Sequence, residues 1–263
     1  MNMQISQERK TQLKKRAEID YEVFNNVRRC MVKHFGRIEG KRLIDIGCGR
    51  TFPQPLLFNT FGSSMAAGID ITTFVDNKNL SDEDKYYYQE LGKVTGKPLK
   101  FTGLSIENIN AAAMPFPDNS FDFVISNAAF EHFENVEAVV AEIRRVMKKG
   151  AIGHIGIHLY TSLSGSHHPA FQKEPLTEIP QGVAPWYHLR GMEGYRDTPL
   201  NKWREFQYKE LFGDNFEILQ WIVPEFEEGK QFLTGEIRKE LRDYTRDELL
   251  RRWCVAIIRN GKG

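Results

Sequence analysis

The sequence predicts an α/β fold: a mostly parallel sheet of seven strands with helices on both faces. Three observations carry this. From residue 42 onward, short apolar runs alternate with stretches of helical period, the pattern of a parallel sheet crossed over by helices. The run Arg42–Ile46 ends in Gly47-Cys48-Gly49, a tight turn that lets backbone approach a ligand closely. A second apolar run, Met65–Asp70, ends in an acid about twenty residues further on, where a carboxylate can accept the ribose hydroxyls of an adenosine-bearing cofactor.

The elements follow in order. Residues 4–35 are charged and place Val23, Val27, Cys30 and Met31 on one helical face; this predicts a helix packed against the sheet edge, closed by Gly36 and Gly40. Strands are expected at 42–46, 65–70, 106–110, 121–126 and 151–158. Asn135 to Lys149 is the clearest helix. Val136, Val139, Val140, Ile143, Val146 and Met147 line one side, and Arg144, Arg145, Lys148 and Lys149 lie toward its end, where cations suit the dipole. Leu159 to Asp214 has little apolar period and many Gly, Pro, His and aromatic residues, too long for a bare connection. It predicts an insertion at about 160–212. A strand follows at 216–223, then a charged, helical and mostly solvated insertion at about 225–244. Thr245 with Glu248 is a capping box opening a short helix, and 254–258 is the last strand. Residues 1–40 thus form an N-terminal helical segment and 41–263 one domain with two insertions.

A chain of 263 residues fits this plan. With 36 Lys+Arg against 35 Asp+Glu, a nucleic-acid backbone is not expected as the main partner. Cys30, Cys48 and Cys254 show no metal-ligand spacing, which suits a reducing, cytoplasmic setting. No apolar run reaches the roughly 18–20 residues of a membrane span, and the N-terminus lacks a secretory apolar region. No membrane partner is expected, and the sequence leaves the oligomeric state open.

Leu43-Ile-Asp-Ile-Gly-Cys-Gly49, Met65-Ala-Ala-Gly-Ile-Asp70 and Pro115-Phe-Pro-Asp-Asn-Ser-Phe-Asp-Phe-Val-Ile-Ser-Asn127, in this order, resemble class I S-adenosylmethionine-dependent methyltransferases of the type 11-like group. The resemblance covers roughly residues 40–160. It implies a Rossmann-like sheet whose last strand is antiparallel, with S-adenosylmethionine as cofactor and S-adenosylhomocysteine as product. By resemblance, Asp45, Gly47, Cys48 and Gly49 hold the methionine end of the cofactor, Asp70 with Ile71 the ribose, and Asn110 and Ala111 flank the adenine; Asn127 completes the cofactor side. The family usually has Asp at Asn110 and a third glycine at Thr51, whose hydroxyl is expected near the cofactor carboxylate. In many relatives the N-terminal helix also lids the cofactor, so Tyr21 and Phe24 could serve both packing and closure.

Methyl transfer from a sulfonium is a direct displacement. The protein must align the reactants and, for a hydroxyl acceptor, remove a proton. His132, in Asn127-Ala-Ala-Phe-Glu-His132, stands past strand 121–126 and has an ordinary pKa of about 6.5 suited to a base. A histidine at this place is the proposed base in resembling sugar O-methyltransferases; the other reading is that it organises the loop. His158, on one strand face with His154, joins His167 and His168 as a second set of candidate catalytic residues. Three histidines within eleven residues suggest metal, but no Asp or Glu lies among them until Glu174. No metal is therefore expected, and a polar acceptor pocket is preferred.

Tyr160, Trp186, Arg190 and Trp203, with Tyr195, Lys202 and Arg204, make an aromatic and cationic cluster. Such a cluster suits a sugar face or an aromatic acceptor, with the cations able to meet a phosphate or carboxylate, or else forms a small core within the insertion. Asn127-Ala-Ala-Phe130 lacks the prolines of the Asn-Pro-Pro-Tyr signature of amino-methylating enzymes, which puts nucleobase or glutamine amine methylation in doubt. The turn Gly-Arg-Thr-Phe-Pro and the segment from His158 to His168 resemble methyltransferases of polysaccharide or natural-product pathways. The expected function is O-methylation of a small-molecule or glycan hydroxyl. N- or C-methylation of a small metabolite, or cofactor binding without catalysis, are the alternatives.

Overall fold

The computed structural model describes residues 5–76, 78–171, 176–179, 181–194 and 199–261. Seven strands form one sheet: β1 (Arg42–Ile46), β2 (Met65–Asp70), β3 (Leu104–Asn108), β4 (Phe121–Asn127), β5 (Met147–His158), β6 (Glu217–Ile222) and β7 (Trp253–Arg259). Their order is β3-β2-β1-β4-β5-β7-β6. All neighbours are parallel except β7, which runs antiparallel to both β5 and β6. The chain reverses its direction of travel between β1 and β4, and the crevice outside their carboxyl ends is where such sheets bind ligands.

Side-chain alternation along the buried strands separates two cores. Leu43, Phe123 and Ile125 face one side with residues of α1 (Gln7–Phe35), α2 (Pro53–Thr60) and α3 (Asp82–Thr95). Ile44, Ile46 and Val124 face the other with α4 (Val136–Val146) and α5 (Glu205–Asn215). Helix α1 starts on Ser6, whose hydroxyl accepts from the Arg9 N–H, and stops at Gly36, φ +74°. Phe24 lies wholly in the core against Phe58 and Phe61, so it packs α1 rather than closing over a ligand. Helix α2 is buried on every side, which erases the amphipathic period by which a sequence announces a helix. Helix α3 has Ser81 as cap and three acids in its first turn, a signal legible in the sequence.

The helix expected to reach Lys149 ends at Val146. The N–H groups of Asn119 and Ser120 take the carbonyls of Arg145 and Val146, and Met147 turns extended to pair with Phe121. Lys148 then lies in β5 and meets Asp122 at 2.9 Å. Strand β3 begins and ends two residues earlier than expected, which leaves Asn110 in the loop beyond it.

Leu163, Phe171, Trp186, Tyr187, Ile237, Leu241, Leu249 and Leu250 build a third core over one end of the sheet. It joins both insertions with α6 (Gly235–Glu240) and α7 (Arg246–Leu250). The segment around 225–244, expected to be mostly solvated, therefore contributes buried Ile237 and Leu241. Helix α5 sends Tyr208 and Phe212 into the sheet core, so its residues belong to the sheet domain and not to the insertion. No described helix is long and apolar enough to cross a membrane.

Candidate functional site

The donor side is built on the turn after β1. Gly47 has φ +76°, and a Cβ there would lie 2.3 Å from the Ala129 Cβ. Any side chain would collide with the loop after β4, so only glycine fits. The N–H groups of Gly47 and Cys48 bond the Ile69 carbonyl, and Gly49 N–H donates to Asp70 Oδ2 at 2.8 Å. The other Asp70 oxygen accepts from Thr72 N–H at 2.9 Å. Asp70 is thus held across the glycine turn by backbone donors, with further lone pairs available.

Asp45 lies beneath the turn, buried, and its Oδ1 has no hydrogen-bond partner. Burial pushes its carboxyl up to about 8, and Asp70 and Asp20 push the same way. Three carboxyl groups crowd around one turn, and a cation there would favour their ionised forms. The amino group and sulfonium implied by the resemblance would supply the missing positive charge, so the residues fit that cofactor. Ile71 follows Asp70 and is 78% exposed, an apolar side chain free to meet a flat ring. Asn110 is exposed, with its oxygen accepting from Ala112 N–H at 2.9 Å, while Ala111 is buried beside it. Thr51, expected near the cofactor carboxylate, is buried instead, and its hydroxyl accepts from Arg16 of α1 at 2.8 Å.

Helix α1 is tied to its neighbours α3 and α2 at two further points. Tyr87 donates to the Asp20 carboxylate at 2.6 Å, and Gln54 donates to the Asp20 carbonyl at 3.0 Å.

The catalytic candidates converge at the carboxyl ends of β4 and β5. Phe130–His132 is a single 3₁₀ turn after β4. His132 Nδ1 lies 2.9 Å from the Pro199 carbonyl. A carbonyl only accepts, so Nδ1 carries the proton and Nε2 presents a lone pair. That Nε2 stands 4.0 Å from Glu131 Oε1, and His167 Nε2 stands 3.8 Å from the same oxygen. Glu131 is 1% exposed and neither carboxylate oxygen has a hydrogen-bond partner. Burial lifts its carboxyl to about 8, against the pull of the nearby backbone N–H groups of Glu131 and His158. His158 stacks on His167 with ring centroids 4.6 Å apart, and His167 meets His132 edge-on at 4.9 Å. Burial, then mutual repulsion, lowers His158 to about 3 and His167 to about 4.

Three of the four histidines picked from the sequence are therefore brought together. His168 is not among them: its ring packs on Phe171 and Tyr187 in the cap. Glu131 was not singled out, although its place beside His132 in the loop after β4 was a usable signal. Behind His158, the Ser164 hydroxyl lies 2.9 Å from its Nε2 and bonds buried Glu228 at 2.8 Å. Glu228 sits in a charged run that gives no hint of burial.

The expected acceptor residues fare differently. Trp186 is fully buried and its indole N–H donates to the Leu249 carbonyl at 3.2 Å. Arg190 donates from Nε and Nη2, one edge of its guanidinium, to both oxygens of Glu240, and from Nη1 to the Pro185 carbonyl. Arg204 is held by Glu248. Trp203 packs on Tyr208, and the Tyr160 carbonyl accepts from His188 at 2.9 Å. Most of this cluster is internal packing of the cap, because its rings needed a core more than a surface. Tyr195 and Glu174 lie outside the described residues.

A cleft of about 760 Å³ opens between α1 and strands β5, β7 and β6. Asn127 and His158 stand at the sheet's carboxyl end of it, and Val23, Ile157, Val255 and Ile257 give it an apolar floor. Arg29, Lys33 and Arg252 line it, with no carboxylate among its described lining residues. Asn127 lies over Gly156, where a Cβ would come within 2.5 Å of its Oδ1.

Residues 44–155 match the family described as Methyltransferase domain. The sterol 24-C-methyltransferase of Pneumocystis carinii is 33% identical over 119 residues, 45% of this chain and 28% of that protein. The fatty-acid O-methyltransferase of Mycolicibacterium smegmatis is 25% identical over 166 residues, 61% of this chain and 53% of that protein. The chain thus spans about a quarter to a half of these relatives' length. A putative S-adenosylmethionine-dependent methyltransferase from Listeria monocytogenes superposes with a TM-score of 0.52 at 11% identity, covering 92% of this chain and 98% of that one, a likeness of fold. The glycine turn, the acid ending β2 and the sheet order agree with that match: residues 44–155 carry a methyltransferase domain, in a Rossmann-like sheet that implies S-adenosylmethionine as cofactor.

Proposed function

We propose that this chain transfers a methyl group from S-adenosylmethionine to a hydroxyl oxygen of a small molecule. The observation that carries the reading is the histidine cluster around buried Glu131, at the carboxyl ends of β4 and β5 beside the glycine turn. Bound S-adenosylmethionine supplies a methyl already activated by positive sulfur. The residues of this chain then have two tasks. Asp45, Asp70 and the turn 47–49 orient the donor through charge and close backbone approach. His132 takes the hydroxyl proton on Nε2, whose lone pair the Pro199 carbonyl contact keeps free. A neutral amine acceptor would need no such group, which favours oxygen over nitrogen.

The sugar acceptor expected from the aromatic cluster loses that support, since Trp186 and Arg190 are occupied within the cap. The cleft beside His158 has an apolar floor and a cationic rim, which suits an acceptor with an apolar body. The relatives named for sterol and fatty-acid substrates are in keeping with this. A small-molecule acceptor rather than nucleic acid, and a reducing compartment suited to three free cysteines, complete the proposal.

The test is direct. Protein and methyl-deuterated S-adenosylmethionine are incubated with alcohols of graded apolar size, and products are read by mass and by fragmentation that locates the label. Label on oxygen, with kcat/KM rising with apolar size, is expected. Label only on nitrogen or carbon would sink the hydroxyl reading.

A further inference from the structure

We propose that Glu131, His132 and His167 form a binding site for a divalent first-row transition metal, Zn²⁺ before others, held by one carboxylate and two imidazole nitrogens. Their ligand atoms all lie within 4.8 Å of one another. At 3.8 and 4.0 Å the two Nε2 atoms are too far from Glu131 Oε1 to hydrogen-bond it. They are near enough to share an ion with it: bonds of about 2.0–2.2 Å to each ligand put neighbouring ligand atoms roughly 3–4 Å apart.

Three further observations point the same way. Glu131 is a carboxylate buried without any hydrogen bond, a costly arrangement that a cation would relieve. The His132 Nδ1 proton is already committed to the Pro199 carbonyl, the orienting contact found behind metal-binding histidines. His167 is held with φ +58°, a left-handed conformation that a histidine adopts only at some cost, and its ring faces Glu131. The expectation of no metal came from the lack of an acid near His167 in the sequence; the fold brings one from the loop after β4.

Three protein ligands leave positions open, as in catalytic rather than structural sites. The ion's role, unlike its binding, rests on the hydroxyl reading. A coordinated hydroxyl loses its proton to water near neutral pH, which is the task His132 performs alone in the metal-free protein.

The full chain, stripped with chelator, is titrated with Zn²⁺ against a chromophoric competitor, and separately with Co²⁺ to read its visible absorption. No methyl donor or acceptor is present, so failure of the hydroxyl reading cannot be mistaken for failure of the site. One ion per chain is expected. His167→Asn and Glu131→Gln should each weaken binding by about 100-fold or more and abolish the Co²⁺ bands. Should Glu131→Gln not melt cooperatively, the partly exposed His132→Asn and His167→Asn carry the test. Less than stoichiometric binding at micromolar free metal would overturn the proposal. So would wild-type affinity in the folded histidine variants, which would place the ion elsewhere, for instance on a cysteine.

Discussion

His132 Nδ1 lies 2.9 Å from the carbonyl oxygen of Pro199, so a residue of the cap segment decides which nitrogen of His132 is free to act. Asn201 holds that segment in place, with its N–H on the Glu131 carbonyl at 2.9 Å and its amide on the Phe130 carbonyl at 2.7 Å. His132→Asn should lower kcat by about 10²-fold with the donor's Kd near wild type. Steady-state rates with calorimetry on the same preparation check both halves. Equal loss in both would mean that His132 organises the cofactor loop instead.

Asp45 gives the donor site a pH signature. Its carboxyl is raised to about 8, so near neutral pH it is largely protonated before a cation arrives. A cationic donor favours the ionised form, and binding expels the proton. Affinity should therefore rise with pH, by up to about tenfold per unit, and level off above about 8. Calorimetry in buffers of differing ionisation heat should show close to one proton released. Asp45→Asn should flatten the profile and weaken binding by about 1–3 kcal/mol.

Trp186 should behave as a core residue. Trp186→Ala is expected to cost about 3–5 kcal/mol of stability, read by denaturant titration. A variant that kept wild-type stability and lost only acceptor affinity would return the indole to the binding surface.

Stability against pH should peak near pH 6–7, because two sets of buried groups pull in opposite directions. His154, His158, His167 and His188 are lowered to about 4, 3, 4 and 4 by burial. Their contribution is complete above about pH 6.5 and is lost as pH falls toward 4, where the unfolded chain binds the extra protons. Asp45 and Glu131, raised to about 8, act oppositely: their protons are held in the folded state, and stability falls as pH rises to 8. Four histidines outweigh two carboxyls below 6.5, and the carboxyls alone act above it. Thermal melts in chelator across this range check the peak; a steady rise through pH 8 would contradict it.

The sheet was legible because its signals are local. Buried strands such as Leu43–Ile46 and Phe121–Ser126 are apolar runs broken only by Asp45 in the first and by Asp122 and Ser126 in the second, and Gly47 must be glycine where its backbone meets Ala129. Helix α4 shows its apolar stripe, but its end at Val146 depends on Asn119 and Ser120 capturing its last carbonyls, a tertiary event. The donor half of the site lies in consecutive residues and could be read. The histidine cluster could be read only in part. Glu131 and His167 meet through a fold of the cap, and Trp186 and Arg190 look alike in sequence whether they bind a ligand or each other's neighbours.

Side-chain bonds fasten α1 to Thr51 through Arg16, to α3 through Tyr87 and to α2 through Gln54, which makes it a fixed wall. A flap on a hinge would move freely, but this helix moves only by losing these bonds, the Arg9–Glu83 pair and its packing around Phe24. Any opening of α1 is then governed by the free energy of local unfolding.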